Sequence, residues 1–192
     1  MPARVSTART TTSPWDCPPL SSTVKLRDGA TVRLRDAEAA DLPRLREMFF
    51  ALSDNTRYLY FCAGVPRNEV WAERVAALGR ADQFASYAMV VEVDGTVVGV
   101  ARFDRDAAGE SAEIGILLAD AWQSRGLGVE VIARLRAEAD CRSLSGFTGT
   151  VLGENYRAFR LLRRAFPGLR ATLSFGQYSI DMPFTSPTDG AA

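Results

Sequence analysis

The feature that most constrains the fold is a glycine-containing loop between an apolar strand and a strongly patterned helix. The apolar run 114–118 leads into a loop in which Gln123, Gly126 and Gly128 form a Gln-x-x-Gly-x-Gly pattern. The first amides of a helix have no acceptor within the helix, and the helix dipole adds positive potential at that end. The strand, loop and helix therefore predict a binding site for a phosphate or pyrophosphate that needs no basic side chain.

Two common kinds of phosphate-binding loop do not fit this segment. A Walker loop requires Lys followed by Ser or Thr after its last glycine, but Val129 follows Gly128 here. The dinucleotide fingerprint requires three glycines and an acidic residue about twenty positions later, and this loop has only two glycines. Two interpretations remain: a pyrophosphate site in which glycine lets the ligand approach the amides, or a helix start that uses glycine for close packing.

Composition predicts a single domain and excludes several kinds of partner. The chain has 192 residues, 47% of them hydrophobic, which is enough for one domain with a substantial core. Its formal net charge is zero and it has no run of Lys and Arg, so no nucleic-acid partner is expected. No stretch reaches the apolar length of a bilayer span, so no membrane partner is expected.

Histidine and cysteine usage narrows the chemistry further. The sequence contains no histidine, which excludes Ser-His and Cys-His nucleophile systems and most zinc sites, and we predict no metal site. The three cysteines, Cys17, Cys62 and Cys141, are odd in number and far apart. This usage favours a reducing compartment, and hence cytoplasmic localisation, over a disulfide framework.

The two ends of the chain differ from the middle in composition. Residues 1–23 and 185–192 are predicted to be disordered tails around one folded domain at residues 24–184. The first tail is rich in Ser, Thr, Pro and Arg and has no apolar segment for a secretory signal. Arg4 and Arg9, with no acidic residue before Asp16, are also found in organelle transit peptides, but we favour an ordinary bacterial N-terminus.

Hydrophobic periodicity predicts a regular sequence of strands and helices along the domain. A turn signal, Asp94-Gly95, joins two apolar runs, and residues 53–55 end the first helix. The predicted strands are 25–27, 31–35, 87–93, 97–103, 111–118 and 146–152, with a closing hairpin at 173–184. The predicted helices are 41–52, 68–78, 127–140 and 155–166, and the apolar stripe of the second is Val70, Val75 and Leu78.

This order predicts an α/β fold with a mixed sheet of the α+β type. We expect a central, mostly antiparallel sheet of about six to seven strands, with helices on both faces.

A second motif lies at the start of the last helix. Asn155 and Ala158 form Asn-x-x-Ala, in which the Asn also suits a helix cap. Together with Gln-x-x-Gly-x-Gly between a strand and a helix, this motif resembles the GNAT superfamily of acyl-CoA N-acyltransferases over residues 24–184. The resemblance implies the GNAT fold, in which the fourth and fifth main strands are parallel and splay apart, and acetyl-CoA as co-substrate.

The resemblance also implies how acetyl-CoA is held. Main-chain amides of the glycine loop would bind the pyrophosphate, and the end of the fourth main strand would bind the pantetheine arm and the developing oxyanion. For the asparagine, contact with CoA and simple helix capping are both compatible with the motif. The implied cofactor-binding residues are Ile116, Leu117, Leu118, Gln123, Ser124, Arg125, Gly126, Leu127, Gly128, Val129 and Asn155.

Glu113 is the candidate general base. Alternation along the strand puts it on the face opposite Ile114, and it stands where many GNAT members carry their catalytic glutamate. Partial burial would make such a carboxylate a better base. Glu110 is the alternative base, whereas Asp104 and Asp106 are interpreted as loop acids.

One position departs from the family pattern. GNAT members often carry a tyrosine, seven residues after the asparagine, that protonates the CoA thiolate. Leu162 occupies that position here, so Tyr156 and Tyr178 are the candidate substitutes.

A more specific likeness lies upstream. Residues 27–29, 33–35 and 57–61 resemble the acetyltransferase domain of bacterial protein-lysine acetyltransferases, except that Tyr60 stands where Arg is usual. Arg57 is either a substrate-side or regulatory residue, or an arginine that pairs at a helix end.

Three functions remain open from the sequence. The first is a protein-lysine N-acetyltransferase that uses acetyl-CoA and a glutamate base. The second is acetylation of a small amine, such as a polyamine, an aminoglycoside or an amino acid, for which Asp104, Asp106 and Glu110 would supply carboxylates. The third is a non-catalytic acyl-CoA-sensing module, which the leucine at position 162 motivates. The expected partners are acetyl-CoA and a protein or small-molecule amine acceptor, and the resemblance allows a homodimer.

Overall fold

A computed structural model describes Cys17, residues 20–81 and residues 85–184. Most of the predicted N-terminal tail and all of the predicted C-terminal tail lie outside the described residues. Within the described part of the chain, no helix has the length and apolar content that crossing a membrane requires.

The described residues form one mixed sheet in the order β1-β2-β3-β4-β5-β6-β8-β7. Neighbouring strands are antiparallel except for β5 and β6, which are parallel. The predicted mostly antiparallel mixed sheet is therefore confirmed. The strands are β1 (Ser21–Lys25), β2 (Thr31–Asp36), β3 (Ser86–Val93), β4 (Thr96–Arg105), β5 (Ser111–Leu118), β6 (Gly146–Leu152), β7 (Arg170–Ser174) and β8 (Gln177–Pro183).

Five α-helices are found in the same residues, and three of them begin at a capping side chain. Ser53, Asn68 and Asn155 each accept a hydrogen bond from an amide in the first turn of the helix that follows. The helices are α1 (Leu42–Ala51), α2 (Asp54–Phe61), α3 (Glu69–Leu78), α4 (Leu127–Cys141) and α5 (Tyr156–Ala165).

Three details differ from the sequence prediction. The sheet has eight strands rather than six or seven, and its first strand, β1, begins before the predicted 25–27. Helix α2 was not predicted, because Ser53 and Asp54 were interpreted as the end of α1 although they cap and begin the next helix. Val70 does not belong to the apolar stripe of α3, since it is 62% exposed and Ala72, Val75 and Ala76 are buried instead.

Two hydrophobic clusters cover opposite faces of the sheet. On one face, α4 and α5 pack through residues such as Leu135 and Leu162 against the central strands. On the other face, α1 and α3 pack through Phe49 and Val75. Strand β5 divides its side chains between the clusters, with Ile114 facing the α4–α5 side and Leu117 the α1–α3 side, so the predicted alternation is confirmed.

The parallel strands β5 and β6 separate soon after they begin. Their register contains three residue pairs, from Ser111 with Gly146 to Glu113 with Thr148. Beyond that point β6 continues to pair with β8, while the remaining residues of β5 pair with β4 alone. This separation is the predicted splay, and it opens the sheet beside the glycine loop.

A disulfide joins Cys17 to Cys141, at the C-terminal end of α4. The expectation that the cysteines form no disulfide is therefore wrong. The two residues are 124 positions apart along the chain but their Cα atoms are 6.1 Å apart, a proximity that spacing alone does not reveal. The cysteine count no longer supports a reducing compartment, and the cytoplasmic localisation stays a prediction.

A buried ion network joins β2, β3 and the start of α1. The Arg35 guanidinium donates to both carboxylate oxygens of Asp41 at 2.7 Å, and its Nε donates to Glu92 Oε2 at 3.1 Å. Asp41 is 1% exposed, and it also accepts from the Glu38 amide and from Arg44. Each charge is therefore paired and hydrogen-bonded, as burial requires.

Candidate active site

A cleft of about 1240 Å³ lies where β5 and β6 diverge. Its walls are the C-terminal half of β5, the loop before α4, the first turn of α5 and the cleft-facing side of α2. Most of the residues predicted to bind the cofactor line it, namely Ile116, Leu117, Leu118, Gln123, Ser124, Gly126, Gly128, Val129 and Asn155. Glu113 lines the same cleft, so the structure brings the predicted base and the glycine loop together.

The two loop glycines have different structural roles. Gly126 is the N-terminal cap of α4 with φ of +89°, and nothing lies within 4 Å of the position that a Cβ would take. Glycine is preferred there for its conformation. A Cβ on Gly128 would lie 2.7 Å from Leu161 Cδ2, so this glycine allows α4 to pack closely on α5. The close-packing interpretation therefore applies to Gly128.

The side chain of Gln123 holds the loop in place through two hydrogen bonds. Its Nε2 donates to the main-chain oxygen of Leu118 at 2.9 Å and to Thr56 Oγ1 at 3.0 Å. These bonds connect the loop to the end of β5 and to α2. The glutamine of the motif thus orders the main chain around the cleft in this protein.

Asp120 strengthens the same junction. It accepts hydrogen bonds from the amide and hydroxyl of Ser53 and from Thr56 Oγ1. Burial raises the pKa of Asp120, but the hydrogen bonds from Ser53 and Thr56 outweigh it and hold the pKa below its ordinary value. The charged carboxylate therefore joins the start of α2 to the loop.

The side chains of Arg125 and Leu127 point away from the cleft. Arg125 pairs with Asp28 in the β1–β2 turn and lies over the Trp122 ring, 4.3 Å from its centroid. Leu127 is completely buried in the core. At these two predicted positions, the atoms that remain available to a ligand are those of the main chain.

The open edge of β5 presents main-chain groups to the cleft. The Ala119 amide donates to Val98 on the β4 side at 2.9 Å. Because neighbouring residues of an antiparallel strand alternate in direction, the amides of Ile116 and Leu118 point away from β4. The main-chain groups of Leu117 point towards β4 instead. Of the three residues predicted to bind the cofactor through β5, Ile116 and Leu118 therefore direct their amides into the cleft, and Leu117 does not.

Glu113 stands on the α1–α3 face of β5 with its side chain exposed. It lies opposite Asp104 of β4, and the Asp104 carboxylate accepts from Arg102 Nε at 2.7 Å. The partial burial expected for the base is not found. Two residues further along the same face, the hydroxyl of Tyr60 covers Gly115.

The other predicted carboxylates lie away from this point. Asp106 closes the β4–β5 turn, where it accepts from the amide of Gly109 and from Ser111 Oγ, and the Ser111 hydrogen bond lowers its pKa. Neither Asp106 nor Glu110 is among the described residues that line the cleft. Asp104 lies within β4 and lines the cleft, so its interpretation as a loop acid is wrong.

The start of α5 forms the opposite wall. Asn155 Oδ1 accepts from the Ala158 amide at 3.2 Å, which is the capping role, and the residue also borders the cleft. Leu162 is buried and lines the cleft. Of the two candidate substitutes for the missing tyrosine, Tyr156 is 72% exposed at the rim, and Tyr178 stacks on Phe159 outside it.

Arg57 has a structural position. It is buried, donates to the main-chain oxygen of Leu52 at 2.9 Å, and pairs with Asp54 in the first turn of α2. Its guanidinium also lies 5.7 Å from the centre of the Phe49 ring. These contacts agree with the helix-end pairing interpretation.

Sequence reasoning missed the contribution of α2 to the cleft. Thr56, Tyr58 and Tyr60 line the cleft from this helix. The sequence signal that could have predicted α2 is Ser53 followed by Asp54, since Ser is a common N-cap residue and an acidic residue is favourable in the first turn of a helix.

The chain matches the family model of the acetyltransferase (GNAT) domain over residues 31–165. It belongs to this family, and it is an acyl-CoA-dependent N-acetyltransferase. The predicted GNAT resemblance is thereby confirmed. A comparison with curated protein sequences finds no significant match.

Three solved structures that share this fold are 19% to 27% identical in sequence to this chain. The GNAT domain of S. lividans PAT is 27% identical, with a TM-score of 0.75 over 85% of this chain and 96% of that one. The yncA structure from Salmonella typhimurium, solved with its cofactor acetyl-CoA, is 19% identical, with a TM-score of 0.55 over 84% and 98%. Spermidine N-acetyltransferase from Vibrio cholerae, in complex with CoA and spermine, is 20% identical, with a TM-score of 0.59 over 79% and 93%.

Proposed function

We propose that this acetyltransferase moves the acetyl group of acetyl-CoA to a primary amine, a protein lysine, with Glu113 as the general base. The observation that carries the proposal is the early separation of β5 and β6, which leaves the amides of Ile116 and Leu118 free beside the start of α4. Glu113 stands at the last paired position before the opening. A thioester in the opening would therefore meet both amide donors and a carboxylate.

On the donor side, the binding groups would be mostly main-chain atoms. The amides from Ser124 to Val129 would hold the pyrophosphate at the start of α4. The free edge of β5 would pair with the pantetheine arm as another strand does, and one of its amides would stabilise the oxyanion. Gln123 would act indirectly, because its side chain is bonded to Leu118 and Thr56.

On the acceptor side, the reaction needs a neutral amine. A lysine side chain has a pKa of about 10.4, so about one in 2,500 is neutral at pH 7. In the proposed reaction the ammonium gives a proton to Glu113, directly or through water, and its nitrogen attacks the thioester carbon. The carbon–sulfur bond then breaks, and the thiolate takes one of the two protons on the nitrogen, which keeps the other as the amide N–H. The products are the acetylated amine, CoA and one proton released from Glu113 to solvent.

Two findings favour a protein lysine as acceptor. The sequence similarity to the GNAT domain of S. lividans PAT agrees with the upstream resemblance to bacterial protein-lysine acetyltransferases. Glu113 is also exposed, so a lysine on a protein surface would reach it without entering a closed pocket.

A polyamine is the second candidate acceptor. Asp104 and Glu113 occupy opposite register positions on β4 and β5, and the exposed carboxylate of Glu113 beside the Asp104–Arg102 pair would attract a polycation. The neighbour solved with CoA and spermine shares the fold. A competition experiment between a lysine-containing protein lysate and spermine, read by mass spectrometry of the acetylated products, distinguishes the two acceptors.

The exchange Glu113→Gln tests the proposed base. We expect turnover to fall about 10²- to 10⁴-fold under conditions where chemistry limits the rate, while the acetyl-CoA affinity measured by calorimetry stays unchanged. Glu110→Gln is the matched control, since Glu110 precedes the same strand but does not line the cleft. Full turnover in Glu113→Gln would exclude Glu113 as the base. Tight acetyl-CoA binding without transfer to any amine would instead support a sensing module.

A further inference from the structure

We propose that the hydroxyl of Tyr60 binds the acceptor nitrogen beside Glu113, and that residue 115 is glycine because this hydroxyl occupies the space of its side chain. This inference rests on the proposed function, since it names a residue that would determine how the acceptor binds. Tyr60 would then be a substrate-binding residue of the acceptor side.

The contact between Tyr60 and β5 is close and specific. A Cβ on Gly115 would lie 2.9 Å from the Tyr60 hydroxyl oxygen and 3.7 Å from Arg102 Cγ. The hydroxyl therefore rests on the main chain of β5, next to Ile116, whose amide faces the opening. Residues two apart on a strand share a face at a separation of about 6.6 Å, so the hydroxyl and Glu113 stand on the same side of the strand.

The ring of Tyr60 is held from behind while its hydroxyl end borders the cleft. Phe61 packs against it edge-on, with the ring centroids 5.0 Å apart, and Phe61 in turn contacts Trp71 of α3 at 4.8 Å. No hydrogen bond to the Tyr60 hydroxyl is found within residues 20–81 and 85–184. A fixed, half-buried hydroxyl at the edge of a cleft is well suited to bind a polar group of a ligand.

The protonation state of Tyr60 excludes it as the base. Burial raises the pKa of Tyr60 to about 12, with Arg102 opposing the shift and Asp104 and Glu113 adding to it. At neutral pH the phenol therefore keeps its proton. Its oxygen is free to accept an N–H bond from the acceptor, and the proton passes to Glu113 in the proposed reaction.

The position of Tyr60 in the fold suits contact with the acceptor rather than with acetyl-CoA. The pyrophosphate loop leads into α4, which covers one face of the sheet. Tyr60 packs with the cluster on the opposite face, and Glu113 and Gly115 point to that same face. A change at Tyr60 should therefore alter acceptor binding and leave acetyl-CoA binding intact.

The test uses Tyr60→Phe, which removes only the hydroxyl, with poly-L-lysine as the acceptor probe and CoA thiol release as the readout. The KM for poly-L-lysine should rise about tenfold or more, the loss expected for a hydrogen bond to a charged group. The KM for acetyl-CoA and the Tm should stay unchanged. Tyr178→Phe is the control, because Tyr178 stacks on Phe159 outside the cleft.

Gly115→Ala provides a second, independent variant. Its methyl group would displace the hydroxyl, so it should raise the KM for poly-L-lysine to a similar extent. In the Tyr60→Phe background the same exchange should add little, because the displaced group is already absent. Full additivity of the two effects would contradict the shared mechanism.

Comparison with Glu113→Gln separates this inference from the proposed function. If Glu113→Gln slows turnover while Tyr60→Phe leaves the KM for poly-L-lysine unchanged, the role of Tyr60 is wrong and the proposed function stands. If Tyr60→Phe raises that KM while Glu113→Gln keeps full turnover, Tyr60 binds the acceptor and the proposed base is wrong.

Discussion

Gln123 donates its side-chain amide to the main-chain oxygen of Leu118, and this bond joins the glycine loop to the open edge of β5. The same amide donates to Thr56 on α2. Three elements that are distant in sequence therefore meet at one side chain. The position of the loop relative to the opening in the sheet depends on this contact.

Gln123→Ala should weaken acetyl-CoA binding by about tenfold, because the loop loses the two hydrogen bonds that order it, and ordering it on binding then costs about 1.4 kcal/mol. Calorimetric titration with acetyl-CoA measures the effect. Gln177→Ala on β8 is the control, because Gln177 does not line the cleft. An unchanged affinity in Gln123→Ala would show that the loop is ordered without this side chain.

Gly128→Ala should lower the free energy of unfolding by about 1 kcal/mol, because the collision of the new methyl group with Leu161 across the α4–α5 contact outweighs the gain in helix propensity. Leu161→Ala removes the colliding atoms, so the two exchanges should be non-additive, and the double variant should be more stable than the sum predicts. Chemical denaturation of the four proteins in this cycle measures the coupling. Strict additivity would mean that α5 moves freely to admit the methyl group.

The periodic strands and helices were predictable because each depends on neighbours along the chain. Alternation in β5 and the turn signal at Asp94-Gly95, whose φ values are +47° and +79°, were confirmed. The role of Gln123 was not predictable, since its partner Thr56 lies 67 residues away. Helix α2 was missed because Ser53 and Asp54 suit both an end and a start, and only packing against the loop decides between them.

Removal of Arg35 should be strongly destabilising. Arg35→Ala leaves the carboxylate of Asp41 buried without its main partner, which costs about 3–5 kcal/mol in the free energy of unfolding. Arg46→Ala is the matched control: its partners Glu69 and Glu73 are exposed, so stability should hardly change. If urea denaturation gave Arg35→Ala and Arg46→Ala the same free energy of unfolding, the network around Arg35 would not stabilise the protein.

The same network predicts the direction of acid sensitivity. Burial raises the pKa of Asp41, but hydrogen bonds from Arg35 and the Glu38 amide outweigh it, and the pKa lies below its ordinary value. In the unfolded chain the pKa of an aspartate is about 3.9. Because the pKa of Asp41 is lower in the folded protein, its charged form stabilises the fold at any pH above about 3.9, and this stabilisation is lost as the pH falls through the folded-state pKa. The Tm should therefore fall steeply below about pH 4. Asp41→Asn should be less stable at pH 7 and should show a shallower fall in acid.

Reduction of the Cys17–Cys141 disulfide should destabilise the protein by about 2–4 kcal/mol, because the bond closes a long loop and so restricts the unfolded chain. A reductant should lower the Tm of the wild-type protein and leave the already lower Tm of Cys17→Ser unchanged. Cys62→Ser is the control and should respond to reductant as the wild type does, since Cys62 is the free cysteine of the described residues. Thiol titration of the unfolded, unreduced protein should find one reactive group, and three would show that the disulfide does not form.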